Sequence, residues 1–424
     1  MTMASRRDFL KVFSLSAFSL PAFGQWELKK TKVAEMKFPA PDDPAFWKKV
    51  RRLFPMPEDE AFFNTGTLGA SPTVVLETVA EHLRKVASAI CEWDYKGDDW
   101  ISGYQAYRGI REKVARLIHA QTGEVALTEN ATMAMNFIAN GLDLRVGDEV
   151  LTTDQEHSGG KSGWQLKQKR WATVYKEVVL PKPAANPEEV VALFREAITP
   201  RTKVITLSHI LSPNGTILPV KEICAEASRR GIFTVIDGAQ AIGHIELDVR
   251  DLDCDAYYGS LHKWLLAPPG TGFLYIKSER AKDIWTTLAG GQWDNHEDEG
   301  FRFTQRGTGS LSLLMGLNAA LDFHQALGPE RVYTRIKSLG DYLREGLKGI
   351  EEVEIYTSTH PAMCAGITSY NIAGLEPGKL MDELWTRKKI RSRGVRQCTH
   401  IYNNPEEIDA TLEVVREMAK FARS

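Results

Sequence analysis

The stretch "VIDGAQAIGHIELDVRDLDCDAYYGSLHKWLLAPPGTGFLYIK", residues 235–277, decides the fold. It carries the end of "FTVID" (233–237), then "DAYYGS" (255–260) and "GFLYI" (272–276). These runs are short and rich in β-branched and aromatic residues, the composition of buried strands. The first runs out directly into Asp237, Gly238, Ala239 and Gln240. The second is followed by His262 and Lys263 before a Pro/Gly-rich turn. Lysines ordinarily sit on solvated faces. One placed between an aromatic strand and a tight turn needs a reason that its surroundings must supply.

Outward from this stretch the same alternation continues. "EVLTT" (149–153) and "KVITLS" (203–208) read as strands, and the helical patterns "EEVVALFREAI" and "VKEICAEASRRG" fall between strands, the latter closed by Gly231. Such alternation predicts an α/β fold, a mostly parallel sheet between helices. "SPTVVLETVAEHLRKVASAI" (71–90) predicts a helix from its Ser-Pro start and the spacing of Leu76, Val79, Leu83, Val86 and Ile90. Residues 310–350 read as mainly helical, and a strand–strand–helix tail follows. The expected organisation is an irregular entry segment over 25–70, a large domain over 71–324 and a small α+β domain over 325–424.

The 424 residues have a formal net charge of −2, which points to neither nucleic acid nor an acidic membrane as partner. "KQKR" (167–170) and "RKKIRSR" (387–393) read as solvated faces. No internal run is long and apolar enough to span a bilayer. The cysteines Cys91, Cys224, Cys254, Cys364 and Cys398 are scattered and odd in number. They predict neither a disulfide framework nor a zinc site. "HEDE" (296–299) has the composition of a metal cluster, but four adjacent residues cannot all face one ion, and no metal site is expected. The N-terminus is different. "SRRDFLKVFSLSAFSLPAFGQ" pairs Arg6 and Arg7, continues with Phe9, Leu10 and Lys11, and then turns moderately apolar. It resembles a twin-arginine signal over residues 1–24. The expectation is export of a folded protein through the twin-arginine machinery, to the periplasm or beyond.

In an open parallel α/β sheet, ligands sit at the carboxyl ends of the strands. Asp237 falls at such an end. "LTENATMAMNFIANG" opens a helix at Ala131 and Thr132, a ready seat for a phosphate. "LTTDQEHSGGKSGW" brings His157 to a third strand end and "LSHILSPNGTILPV" brings Ser212 to a fourth. A phosphate seat, a flat side chain, an acid and a lysine, all at strand ends, describe a site for pyridoxal phosphate. The lysine serves as the Schiff-base nucleophile, and the acid keeps the pyridine nitrogen protonated.

From about residue 60 onward the chain resembles the class V aminotransferase family of fold-type I pyridoxal phosphate enzymes, with residues 235–277 similar to its core motif throughout. The resemblance implies Lys263 as the cofactor-bearing lysine and Asp237 as the partner of the ring nitrogen. It places Gln240 near the phenolic oxygen and His157 against the ring. Thr132, Ser260, His262 and the backbone of Ala131 would bind phosphate. It further implies a homodimer in which "RGTGS", with Gly307 and Thr308, reaches the neighbouring subunit's phosphate. "GVRQCTHIYNNPEEID" matches the segment whose arginine binds a substrate carboxylate, which points to Arg396.

"FFNTGTLGASP" (62–72) and "SHILSPNGTILPVKEI" (208–223) look most like the isopenicillin N epimerase-like branch, with Asn64 and Ser212 on the substrate side. "IRSRGVRQC" leaves hardly any room for the catalytic-cysteine loop of a desulfurase, so that activity is disfavoured. What the resemblance implies is chemistry at the α-carbon of an amino acid or similar small molecule: transamination, epimerisation or C–S elimination. The competing expectation is an exported binding protein that keeps the fold without turnover. Tyr95, Tyr104 and Tyr107 are candidates for a second acid, and Trp93 and Trp100 for a channel wall, with packing the simpler role for all five. A nicotinamide-dependent dehydrogenase is disfavoured because no G-x-G-x-x-G follows a strand.

Overall fold

The computed structural model describes residues 32–36, 45–92 and 107–422. The export signal, Trp93, Tyr95, Trp100 and Tyr104 lie outside them. The strands are β1 (Ala61–Phe62), β2 (Val125–Thr128), β3 (Glu149–Thr153), β4 (Val174–Val178), β5 (Thr202–Ser208), β6 (Phe233–Asp237), β7 (Ala256–Ser260), β8 (Gly272–Ile276), β9 (Val353–Ile355), β10 (Ile367–Ile372), β11 (Ile390–Arg391) and β12 (Arg396–Cys398).

Seven of them form the central sheet in the order β2-β8-β7-β6-β5-β3-β4. The pairings β3–β4, β3–β5, β5–β6 and β6–β7 are parallel, while β8 runs antiparallel to both of its neighbours. Strands β5 to β8 are buried almost throughout, which explains their continuous apolar runs in place of alternation. Helices Thr73–Ser88, Pro187–Ala197, Val220–Ser228 and Leu311–Leu327 contribute to the core on one face, around Val75, Phe194, Ile223 and Leu317. Helices Ala131–Gly141 and Ser158–Trp171 cover the other, through Met135, Ile138 and Trp164.

A separate apolar cluster lies in the C-terminal part, where β12-β10-β9 form an antiparallel sheet backed by Pro329–Lys348 and Pro405–Ala422. Ala61 and Phe63 belong to this cluster, and β1 pairs in parallel with β11. The entry segment, read as irregular, thus holds the helix Phe46–Arg51 and a strand paired 329 residues away, Ala61 with Ile390.

The helix Thr73–Ser88 forms as its spacing predicts, but its stripe faces outward. Leu76, Leu83 and Ile90 are 45%, 56% and 58% exposed, while Val74, Val75 and His82 are buried. Among the described residues no helix is long and apolar enough to cross a membrane, and no group of His, Cys, Asp or Glu suits a metal. "HEDE" is taken up by ion pairs: His296 and Arg302 with Glu299 nearby, and the distant Arg111 with Asp298.

Candidate active site

A cavity of about 310 Å³ opens at the carboxyl ends of β5, β6 and β7. Its wall includes Asn130, Ala131, Thr132, His157, Ser212, Asp237, Gln240, Ser260, His262 and Lys263. Parallel strands put it there, because every strand-to-helix connection leaves the sheet at that edge.

Asp237 ends β6, and its Oδ1 accepts the backbone N–H of Ala239 at 2.8 Å. Burial raises its pKa, against the pull of that hydrogen bond and of the Lys263 charge. A buried carboxylate without a firm cationic partner is costly, so the position favours a cationic ligand. Lys263 follows β7 in a turn anchored from two sides: Leu266 N donates to its carbonyl, and Gly69 N donates to the His262 carbonyl at 2.9 Å. A Cβ on Gly69 would stand 2.0 Å from the Lys263 carbonyl oxygen, so only glycine permits this approach. Burial first, then the nearby Arg396 and Arg393, lower the Lys263 pKa, and Asp237 opposes them. A lysine eased toward its neutral form is a nucleophile and a base.

The helix Ala131–Gly141 points its N-terminus into the cavity, capped by Asn130, whose Oδ1 accepts from Met133 N at 2.9 Å. Ser260 Oγ accepts the Ala131 N–H at 3.1 Å, so these two phosphate candidates bond to each other. His262 Nδ1 is buried without a hydrogen-bond partner. His157 caps the helix Ser158–Trp171, its Nδ1 accepting from Gly159 N at 3.1 Å. That bond selects the neutral ring with hydrogen on Nε2, and burial together with Lys263 lowers its pKa. Behind it, a Cβ on Gly160 would lie 2.8 Å from Asp237 Oδ2, and one on Gly159 would lie 2.8 Å from Thr132 Oγ1. Two glycines keep open the space between His157, Asp237 and Thr132.

Gln240 is held on three sides. Its Nε2 donates to the Gly66 carbonyl at 2.8 Å and to Ser212 Oγ at 3.4 Å, and Trp264 Nε1 donates to its Oε1 at 2.8 Å. Trp264 in turn stacks on His244, ring centroids 3.6 Å apart, and His244 Nε2 accepts from Gly366 N in the C-terminal part. Arg396, 4% exposed on β12, donates from Nη1 to the Ser212 carbonyl (2.7 Å) and Ser212 Oγ (3.0 Å). Its Nη2 donates to Asn64 Oδ1 (3.3 Å) and Thr67 Oγ1 (3.2 Å), while its Nε is buried without a partner. An orphaned Nε beside Nη2 is the edge that grips a carboxylate side-on.

The fold therefore brings together Asn64, Ala131, Thr132, His157, Ser212, Asp237, Gln240, Ser260, His262, Lys263 and Arg396. Gly307 and Thr308 do not line the Lys263 cavity of their own chain, and Thr308 is exposed. Tyr107 does not line it either. His209, given no role by its motif, bonds Tyr257 Oη at 2.9 Å behind the site. Sequence reasoning missed Glu156, Thr67, Trp264 and Arg393. It placed Arg393 on a solvated face with its basic run, yet Arg393 lines the cavity and Arg391 lies 3.9 Å over the Trp385 ring. The adjacency of Trp264 to Lys263 was the one available signal.

These residues fit pyridoxal phosphate. An acid lies at a strand end, an unpartnered histidine nitrogen and a helix N-terminus form a phosphate seat, and glycines leave room for a flat ring. Comparisons with known proteins agree. The family model "Aminotransferase class-V" matches residues 61–417. The isopenicillin N epimerase of Amycolatopsis lactamdurans is 31% identical over 401 residues, covering 88% of this chain and 99% of its own. A probable cysteine desulfurase of Synechocystis sp. is 28% identical, over 89% of this chain and 97% of its own. Among solved structures, a mutant of C-DES with glycine covalently linked to its PLP cofactor superposes with a TM-score of 0.77 at 26% identity, over 87% of this chain and 99% of its own. The architecture is that of the fold-type I enzymes, and with the family model matched from β1 into the last helix, the chain belongs to the aminotransferase class V family of pyridoxal phosphate enzymes.

Proposed function

We propose that this protein acts at the α-carbon of an amino acid, with Lys263, Asp237 and Arg396 as the residues that carry the chemistry. The supporting observation is their convergence: a lysine eased toward neutrality and a buried acid line one cavity, and a buried arginine with a free Nε lines the adjoining chamber, bonded to Ser212, which belongs to both walls. Bound pyridoxal phosphate supplies the electron sink that makes an α-proton acidic. Asp237 would be the anion for its ring nitrogen, and Thr132, Ser260 and His262 would be the donors for its phosphate. Gln240, pinned by Trp264 and Gly66, would hold the phenolic oxygen, and His157 would pack against the ring beside Gly159 and Gly160. Arg396 fixes the substrate carboxylate through Nε and Nη2. With the cofactor bound, Lys263 Nζ would take the α-proton. This part of the mechanism is common to transamination, epimerisation and β-elimination.

Only residues 392–395 separate β11 from Arg396, and Cys398 is fully buried in β12, its N–H bonded to the Phe63 carbonyl. This arrangement leaves no loop thiol just before Arg396 to accept sulfur, which argues against a desulfurase. Exposure of Thr308 away from its own cavity supports a dimer that shares its sites. The motif around Arg6 and Arg7 supports twin-arginine export, which Arg6→Lys with Arg7→Lys would abolish; undiminished export of that double variant refutes it.

The test of the reaction class is a visible spectrum of the purified protein before and after borohydride, with peptide mapping. A cofactor band that reduction abolishes, with the label on Lys263, is expected, as is loss of multiple turnover in Lys263→Ala. A protein that stays colourless with added pyridoxal phosphate, or a Lys263→Ala variant that keeps turning over, overturns the proposal.

A further inference from the structure

The inner cavity opens past His157, Ser212 and Arg393 into an outer chamber of about 780 Å³, whose wall also includes Pro213, Tyr356, Val395 and Arg396. Arg393 stands where the two meet. Its backbone is fixed: Arg393 N donates to the Arg396 carbonyl at 3.1 Å and Arg396 N to the Arg393 carbonyl at 3.0 Å, closing a two-residue turn with Gly394 at φ +57°. Residues that exchange both bonds lie directly opposite one another with their side chains on the same face. The two guanidinium groups therefore project together, and both donate to one acceptor, Thr67 Oγ1, at 3.2 Å.

Their surroundings differ. Arg396 is buried and bonded to Ser212 and Asn64. Arg393 is exposed, and among the described residues no carboxylate pairs with it. Its neighbours in the same basic run are occupied: Arg387 with Glu383 and Glu417, Lys388 with Glu413, Arg391 on the Trp385 ring. Lys182, which with Arg393 and Arg396 lines the outer chamber, is paired with Asp154 at 3.3 Å.

We propose that Arg393 reads a second anionic group, and that the substrate class is α-amino acids whose side chain ends in an anion such as a carboxylate. Resting on the assignment of Arg396 to the α-carboxylate, the proposal adds what the side chain must be. The α-carboxylate takes the buried guanidinium, the stem lies along Pro213, Tyr356 and Val395, and the distal anion meets the exposed guanidinium. Two cations that share only a neutral hydroxyl repel one another, and a dianion relieves both.

Inert acids test this without turnover. The cofactor-loaded protein is titrated calorimetrically with glutarate and with butyrate, as wild type, Arg393→Ala and Arg393→Lys. In parallel, kcat/KM is compared for glutamate-like and norvaline-like amino acids. Wild type is expected to favour the dianion at least tenfold in both measurements, Arg393→Ala to lose at least tenfold of that ratio, and Arg393→Lys to recover part of it. If Arg393→Ala weakens both acids equally, the two arginines clamp one carboxylate and the proposal is overturned. A preference that is absent in wild type, or that survives Arg393→Ala, overturns it as well. If amino acids fail to perturb the bound cofactor at all, the assignment of the site itself falls, a different result from any of these.

Discussion

Glu156 is the group whose titration most directly probes the interior of this site. It precedes His157 and accepts hydrogen bonds from Thr153 Oγ1 (2.8 Å), Ser208 Oγ (2.6 Å) and Ser208 N (3.1 Å). Burial, with a smaller contribution from the Asp237 charge, still outweighs these donors and pushes its pKa from 4.5 up to about 7. The folded protein thus keeps a proton that the unfolded chain releases near 4.5. Stability must fall as pH rises from about 4.5 through 7, since the native state binds more protons in that window. At about 1.4 kcal/mol per pKa unit the full effect is about 3 kcal/mol, and solvent reaching this half-buried position trims it to about 2 kcal/mol. Glu156→Gln removes the titration while its amide oxygen still accepts from Ser208. Urea unfolding of both proteins at about pH 5 and about pH 8.5 isolates the effect, because every other group titrates in both. Relative to wild type, the variant is expected to gain about 2 kcal/mol between the two conditions. A difference that stays constant with pH, or that moves the other way, refutes the reasoning.

Gly160→Ala sets a methyl 2.8 Å from Asp237 Oδ2 and should weaken pyridoxal phosphate binding about ten- to hundredfold, the worth of one charge-assisted hydrogen bond; equilibrium dialysis showing undiminished affinity would count against Asp237 as the ring-nitrogen partner. Gly238→Ala drives a Cβ to 2.0 Å from the buried Tyr257 ring, which His209 holds in place, and should cost about 2–4 kcal/mol in urea unfolding. Arg396→Ala should raise KM for a carboxylate-bearing substrate about tenfold or more, with a smaller effect on kcat, and an unchanged KM would remove its assigned role.

Much of this protein is legible in its sequence. The central strands are continuous β-rich runs, so "FTVID" and "GFLYI" coincide with β6 and β8 to the residue. Strand direction has no such signature, and nothing in "GFLYI" announces that β8 runs against its neighbours. The pairing of β1 with β11 was invisible because each is two residues long, below any periodicity window. Lys263 and Asp237 stood out because their surroundings are otherwise apolar. Arg393 did not, because in a basic run every charge looks solvated until a turn aims one of them. Glu156 carries no signal of its own, because its half-buried position depends on β5, which supplies Ser208 from 52 residues away.

Asn64 and Arg396 meet across 332 residues of sequence, and this separation dictates timing. During synthesis the central sheet can assemble as its strands emerge, since N-terminal units fold first. The carboxylate grip cannot, because it must wait for Arg396, almost the last element of the chain. Until then, residues 61–67 have no β11 to lie against and no arginine to bond. A ribosome-bound chain would therefore hold its own share of the cofactor cradle before its substrate pocket, so that the residues that hold pyridoxal phosphate come together before those that select what reacts with it.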